Sequence, residues 1–334
     1  MTILITGGAG YIGSHAVLAF QDAGHDVAVV DDLSTGRREA VPPGVAFYEA
    51  DAGDRVFMTD LLASRKVSSV VHFAGSLIVP ESLEQPLAYY RNNTSASRTL
   101  IEACVGAGVR RFIFSSTCAV YGIAERLPVS EEAPTNPINP YGRSKLMSEW
   151  ILADAARAHD LSFVSLRYFN VAGADPAGRA GQSTPKATAL IKTACEAVVG
   201  ARDAVTVFGE DYDTPDGTCI RDYIHVSDLA DAHVAALAYL EAGGDSRVVN
   251  CGYGHGFSVR QVLETVQEVA GRELVIRTGP RRAGDPPALF ADVTRIREAL
   301  GWRPARDDLR GIVASALAWE RRLQGARAPD AGET

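Results

Sequence analysis

Over the first 170 residues, short and nearly uninterrupted apolar runs rich in Val, Ile and Phe alternate with longer stretches whose apolar residues recur at helical spacing. Residues 3–6, 27–31, 45–49, 70–73, 112–115 and 163–167 predict strands, and residues 11–23, 55–63, 98–107 and 141–159 predict helices. Strand and helix alternating in this way predict an α/β fold, a doubly wound parallel sheet with helices on both faces. The strand runs show no polar alternation, which predicts a sheet buried on both sides.

After Asn170 the rhythm breaks at Gly173-Ala174-Asp175-Pro176-Ala177-Gly178, which is turn chemistry. Shorter elements follow, with loops expected at 211–217 and 279–287. The expected division is a sheet domain over 1–169 and a smaller C-terminal α/β part over 170–323, some segments of which return to the sheet. Residues 324–334 are rich in Ala, Gly and Pro and predict a flexible tail.

Composition narrows the class without giving a function. The 334 residues are 46% apolar and 22% charged, values that exclude a disordered or collagen-like chain. The 33 basic and 41 acidic side chains leave a formal charge of −8 with no Lys/Arg block, which argues against nucleic acid or an anionic membrane as a partner. No apolar run approaches the ~18–20 residues of a membrane helix. The strand-like start at Met1 predicts no signal peptide. Five scattered cysteines with no CxxC pair predict reduced thiols and a cytoplasmic protein. Lysine occurs only at 66, 145, 186 and 192, so each lysine invites a reason.

The first strand runs into Thr6-Gly7-Gly8-Ala9-Gly10-Tyr11-Ile12-Gly13, where a helix opens. Glycines here allow a tight turn, close approach of backbone to a pyrophosphate and helix-on-strand packing. The helix start then offers free N–H groups to the anion. Asp31 closes the next strand, where a carboxylate accepts hydrogen bonds from an adenosine ribose and repels a 2′-phosphate. The turn therefore predicts a Rossmann-type dinucleotide site selective for NAD, although Arg37 and Arg38 lie nearby.

Tyr141-Gly142-Arg143-Ser144-Lys145 sets a phenol and an ammonium four residues apart at a helix start, on one face. With eleven Tyr and four Lys in the chain, about 0.1 such pairs are expected by chance. A phenol of pKa ~10 needs ~4 kcal/mol of preferential phenolate stabilisation to act as a base near neutrality. An ammonium ~4 Å away supplies about that, so Lys145 is expected to lower Tyr141. Ser115-Ser116-Thr117 ends the fifth strand, at the edge of a parallel sheet that faces ligands.

These stretches together resemble the extended short-chain dehydrogenase/reductases, and within them the nucleotide-sugar 4-epimerases that interconvert UDP-glucose and UDP-galactose. The likeness runs from residue 1 to about 322 and includes His72-Phe73-Ala74-Gly75, Tyr89-Tyr90-Arg91-Asn92-Asn93, Arg167-Tyr168-Phe169-Asn170, Arg221-Asp222-Tyr223-Ile224-His225-Val226 and Arg281-Arg282-Ala283-Gly284-Asp285. The resemblance implies Tyr141 as base, Lys145 as its partner and Thr117 as the hydroxyl that shares the substrate proton. It implies a tightly bound NAD held by Gly7, Gly10, Tyr11, Ile12, Gly13, Asp31, Asp32, Asp51, Ala52, Phe73, Ala74, Gly75, Asn92, Tyr141, Lys145 and Tyr168. It implies a UDP-sugar against Thr117, Tyr141, Asn170, Arg221, Arg282, Asp285 and Leu289, mainly in the C-terminal part. Planar guanidinium forks suit a pyrophosphate. The implied reaction takes the sugar through a 4-keto form and returns the hydride to the opposite face, with NAD regenerated each cycle. A homodimer through a helix pair is implied as well.

Three positions depart from the pattern. Leu77 stands where many relatives have a lysine, Ala189 where an asparagine is common, and Leu289 where bulk excludes N-acetylated sugars. They leave UDP-xylose/UDP-arabinose and UDP-N-acetylglucosamine open as substrates. A dehydratase needs a carboxylate just after Thr117, where Cys118 and Ala119 stand. A non-catalytic dinucleotide sensor has no use for Thr117, Tyr141 and Lys145 together. His225, His233, His255, Cys219 and Cys251 lack the spacing of a metal site, and no metal is expected.

Overall fold

Six strands form where the apolar runs predict them: β1 (Thr2–Thr6), β2 (Asp26–Asp31), β3 (Ala46–Glu49), β4 (Val67–His72), β5 (Arg111–Thr117) and β6 (Ser162–Tyr168). The computed structural model describes residues 2–184, 187–282 and 285–326. Lys186, Ala283, Gly284 and residues 327–334 of the expected tail lie outside the described residues. A seventh strand, Arg247–Cys251, comes from the C-terminal half and pairs in parallel with β6. The sheet order is Arg247–Cys251, β6, β5, β4, β1, β2, β3, every pair parallel.

Period-two alternation divides the strand side chains between two cores. Ile3, Ile5, Val29, Val71, Ile113 and Val164 pack on one face. Leu4, Ala28, Val30, Val70, Phe112, Phe114 and Phe163 pack on the other. Each fully buried large side chain contributes about 1.5–3 kcal/mol, which is why the middle of each strand is mostly apolar.

Between the strands run helices Tyr11–Asp22, Arg55–Ser64, Ala96–Gly106 and Pro140–Ala158. Asp54 caps the second by accepting from Val56 N and Phe57 N, and Pro140 with the Asn139 side chain starts the last. Two short helices, Val79–Glu84 and Pro86–Tyr89, and a π-helical turn, Tyr90–Ser95, have no counterpart in the sequence reading. The final helix, Leu309–Gly325, includes Gln324 and Gly325, where the expected tail begins; Asp308 caps that helix and Leu317 anchors it in the core.

The parallel arrangement brings the C-terminal ends of β1, β4, β5 and β6 to one edge. There the chain leaves the sheet at Gly7, Phe73, Cys118 and Phe169. Small sheets from the C-terminal half face this edge, including Ala288–Leu289 beside Ile220–Arg221.

Candidate active site

The glycine turn is shaped by contacts that tolerate no side chain. Gly7 has φ +73°, and a Cβ on it would lie 2.6 Å from Ala74 N. A Cβ on Gly13 would lie 2.1 Å from the Gly7 carbonyl oxygen. Helix Tyr11–Asp22 begins at Gly10 with no capping side chain, so the first-turn N–H groups of Tyr11, Ile12 and Gly13 face outward for an anion. The Tyr11 phenol is turned away, donating to the Gly173 carbonyl at 2.7 Å.

Asp31 is buried and accepts from Ala9 N and Leu33 N, each at 2.9 Å. Burial pushes its carboxyl up, against those two hydrogen bonds. The residue thus ties the glycine turn to the end of β2. Asp32 faces outward and accepts from Ser34 N at 2.9 Å. Arg38 lies 4.5 Å over the Phe47 ring and donates to the Val41 carbonyl, so it is occupied elsewhere than at a ribose phosphate. Asp51 accepts from Gly53 N at 2.7 Å beside buried Ala52.

At the end of β4, Phe73 N donates to the Thr6 carbonyl at 2.9 Å and Ala74 packs on Gly7. Gly75 leaves room for Asn93, whose Oδ1 accepts from Ser76 N at 2.7 Å. The Asn93 amide also donates to the Ser76 carbonyl and to Ser144 Oγ, both at 3.0 Å. Asn92 donates to Ser76 Oγ at 3.1 Å. Asn93, which the sequence reading did not single out, is buried and joins the end of β4 to the Tyr141 helix.

Gly142 lets that helix close on β5, since a Cβ there would lie 2.6 Å from the Ala119 carbonyl oxygen. Thr117 caps the turn Cys118–Val120, its Oγ1 accepting from Ala119 N at 3.1 Å. The closure sets Tyr141 beside Thr117. Burial pushes the phenol up to about 12, with a hydrogen bond to Thr117 acting the other way. The Tyr89 ring meets it edge-on, centroids 6.5 Å apart.

Lys145 is 5% exposed, donates from Nζ to the Ser115 carbonyl at 3.1 Å and lies 5.0 Å over the Phe114 ring. Burial lowers it to about 8, and the Glu149 carboxylate opposes that. In the protein alone, burial raises Tyr141 while Lys145 donates to a main-chain carbonyl. Tyr168 pairs through its hydroxyl with Ser115 Oγ.

Opposite lie the residues expected to face the substrate. Arg221 Nη2 is 3.6 Å from Asp285 Oδ1, and Asp285 N donates to the Arg282 carbonyl at 3.3 Å, which gathers the three. The positive charge of Arg221 also acts on the Cys118 thiol, so Arg221 lies near the Thr117 turn. The Arg282 guanidinium stacks on Phe208 at 3.9 Å. Leu289 is buried and is the register partner of Arg221. Asn170 is exposed, its N–H donating to the Asp222 carbonyl at 2.9 Å. Ala189 opens helix Leu190–Val198 without a side-chain cap, and Leu77 is exposed.

These residues fit a dinucleotide. The uncapped glycine-turn helix suits its pyrophosphate, Asp31 the adenosine ribose, and Lys145 with Tyr141 the far ribose. Among the described residues no three His, Cys, Asp or Glu side chains gather as metal ligands do. No described helix is long and apolar enough to cross a membrane.

Known proteins share this arrangement. A UDP-glucose 4-epimerase of Azospirillum brasilense is 59% identical over 322 residues, 96% of this chain and 92% of that protein. The crystal structure of the UDP-glucose 4-epimerase from Brucella ovis in complex with NAD superposes with a TM-score of 0.92 at 44% identity, covering 95% of this chain and 97% of that one. The UDP-Glc/GlcNAc 4-epimerase from Campylobacter jejuni does so with a TM-score of 0.84 at 49% identity, covering 96% and 99%. Residues 3–252 match the sequence model of one family along the whole glycine-turn and Tyr-x-x-x-Lys region, and with relatives this similar over nearly its full length the chain belongs to that family, the NAD dependent epimerase/dehydratases.

Proposed function

We propose that this protein catalyses the NAD-dependent, reversible 4-epimerisation of a UDP-hexose, interconverting UDP-glucose and UDP-galactose. The observation that carries the reading is the meeting of Thr117, Tyr141 and Lys145 at one end of β5, opposite Arg221 and Asp285. NAD, when bound, supplies the hydride acceptor and donor. Tyr141 takes the proton from the sugar 4-hydroxyl and returns it after the ring has turned over. Thr117 orients that hydroxyl and hands its proton to the phenol. Lys145 holds a ribose and keeps a positive charge near the phenolate. Asn170, Arg221 and Arg282 hold the diphosphate and Asp285 the uridine.

In this reading residues 1–169 bind the cofactor and residues 170–323 mainly the nucleotide sugar. The protein works in the cytoplasm as a homodimer. Exposed Leu83, Leu87, Met147 and Trp150 lie on neighbouring helices and support a helix-paired interface. A second reading, acceptance of UDP-N-acetylglucosamine, is favoured by Leu289, which leaves more room than a tyrosine would.

The test is incubation of purified protein with UDP-glucose and no added NAD, followed by chromatographic separation of the nucleotide sugars. UDP-galactose is the expected product. Its absence, both with and without added NAD, would refute the reading.

A further inference from the structure

Three buried polar side chains meet beneath the Tyr141 helix and have no part in the chemistry above: Ser116, Glu149 and Arg167. Glu149 Oε1 accepts from Arg167 Nε at 3.0 Å, and Oε2 accepts from Arg167 Nη2 at 2.6 Å. The Ser116 hydroxyl donates to the same carboxylate. Ser116 and Arg167 are register partners on β5 and β6, so one carboxylate fastens the helix to both strands. Arg167 Nη1 also donates to the Tyr121 hydroxyl at 3.1 Å, which donates to Asn250 Oδ1 at 2.6 Å. The brace thereby reaches the seventh strand.

The helix grips β5 twice. Lys145 bonds the Ser115 carbonyl, and Glu149, one turn later, takes the Ser116 hydroxyl. Sliding the helix along the strand would break both contacts and part Tyr141 from Thr117. The titratable groups around Lys145 are His72 on β4, Tyr168 on β6, and Tyr141 and Glu149 on its own helix. Burial keeps His72 neutral, at about 3, and both phenols protonated. Glu149 is then the anion of the group, with Arg167 as its counter-charge.

We propose that Glu149 is a positioning residue of the proton-transfer site: braced by Arg167 and Ser116, it fixes the helix on the end of β5 and holds a negative charge one turn from the Lys145 amine, which keeps that buried amine protonated. The inference rests on the epimerase reading for its role in catalysis, but the electrostatic part is measured without turnover.

Four lysines make the measurement direct. Protein labelled at the lysine ε-carbon is titrated by NMR, with Lys145 assigned by its loss in Lys145→Arg. The wild-type midpoint is expected near 8. Glu149→Gln should lower it by about one pH unit or more, and Arg167→Gln should raise it. The alkaline limb of kcat should move in the same directions, which a merely structural lesion would not cause. Unmoved midpoints in folded variants would overturn the proposal. If neither variant folds, a wild-type midpoint below about 6 would overturn it equally, since Glu149 would then not be offsetting burial. A wild type that fails to epimerise but shows both shifts would sink the epimerase reading and support the hold of Glu149 on Lys145.

Discussion

Lys145 and Ser115 are joined by a hydrogen bond of 3.1 Å from the ammonium to a main-chain carbonyl. The bond explains why the amine tolerates near-complete burial. It leaves the phenol to be activated only when substrate and cofactor complete the site. Burial nonetheless makes the amine a cost to the fold.

Burial lowers Lys145 from 10.5 to about 8. Between those values the unfolded chain binds the extra proton and the folded one does not. The stability attributable to this group therefore rises with pH across that window and is lowest below it. Lys145→Met is expected to gain about 2 kcal/mol at pH 7, from ~3 for the removed penalty less ~1 for the lost hydrogen bond. The gain should shrink as pH approaches 10. Thermal unfolding of nucleotide-stripped protein at pH 7 and 9.5 checks this, and a less stable variant at pH 7 would contradict it.

Tyr141→Phe removes the proton acceptor and keeps the ring packed on Tyr89. Turnover should drop by about 10²–10⁴-fold, while nucleotide content, measured after acid release, stays at the wild-type level. Near-normal turnover would assign the proton to another group.

Two glycines of the turn should respond differently. Gly13→Ala drives a methyl to 2.1 Å from the Gly7 carbonyl oxygen, backbone that cannot yield, and should prevent stable folding. On Gly10 the nearest atom would be 3.2 Å away. Gly10→Ala should therefore fold with little change in Tm yet purify with less NAD, because the methyl stands at the helix start where a pyrophosphate approaches. Equal effects of the two changes on Tm would undo the distinction.

The parts of the site that were legible in the sequence are those specified locally. The Gly7–Gly13 spacing and the Tyr141–Lys145 pair each lie within one turn or helix face. Lysine scarcity also pointed to Lys192, and the fold supplies a structural reason, an ion pair with Glu320 and another with Glu196 at 3.3 Å. What escaped notice depends on register between distant segments. Glu149 meets Arg167 only because β5 and β6 align Ser116 with Arg167. Asn93 rather than Asn92 turns inward because a π-helical turn at Tyr90–Ser95 resets the face of the helix, and no side-chain periodicity announces it. The bond from Lys145 to the Ser115 carbonyl was not legible either, because spacing places two residues on one face without saying which partner the amine takes.

Leu289 offers a test of sugar selectivity. It is buried next to Arg221, and under the proposed reading a larger ring at this position would fill the space an N-acetyl group needs. Leu289→Tyr should reduce kcat/KM for UDP-N-acetylglucosamine by at least tenfold, about 1.4 kcal/mol, with UDP-glucose changed much less. Parallel losses for both sugars would indicate simple overpacking.

Asp222 anchors the substrate-side loops from a fully buried position. Its Oδ1 accepts from Tyr253 N at 2.9 Å, and its Oδ2 accepts from Gly254 N at 3.1 Å and Ala291 N at 3.2 Å. Three main-chain donors from two chain segments thus converge on one carboxylate. Asp222→Ala would leave them without partners in a dry interior, at roughly 1–3 kcal/mol each, so a loss of about 4 kcal/mol or more is expected by urea denaturation. Asp222→Asn should rescue little, because its NH2 group would turn a donor toward donors. Arg221 precedes Asp222 in the chain and Leu289 receives the Asp222 N–H at 3.3 Å, so the damage should reach the substrate before the cofactor. Any variant that remains folded should show a raised KM for the UDP-sugar with unchanged nucleotide content. A loss below about 1 kcal/mol would mean that water satisfies these donors and that the loops are held by other contacts.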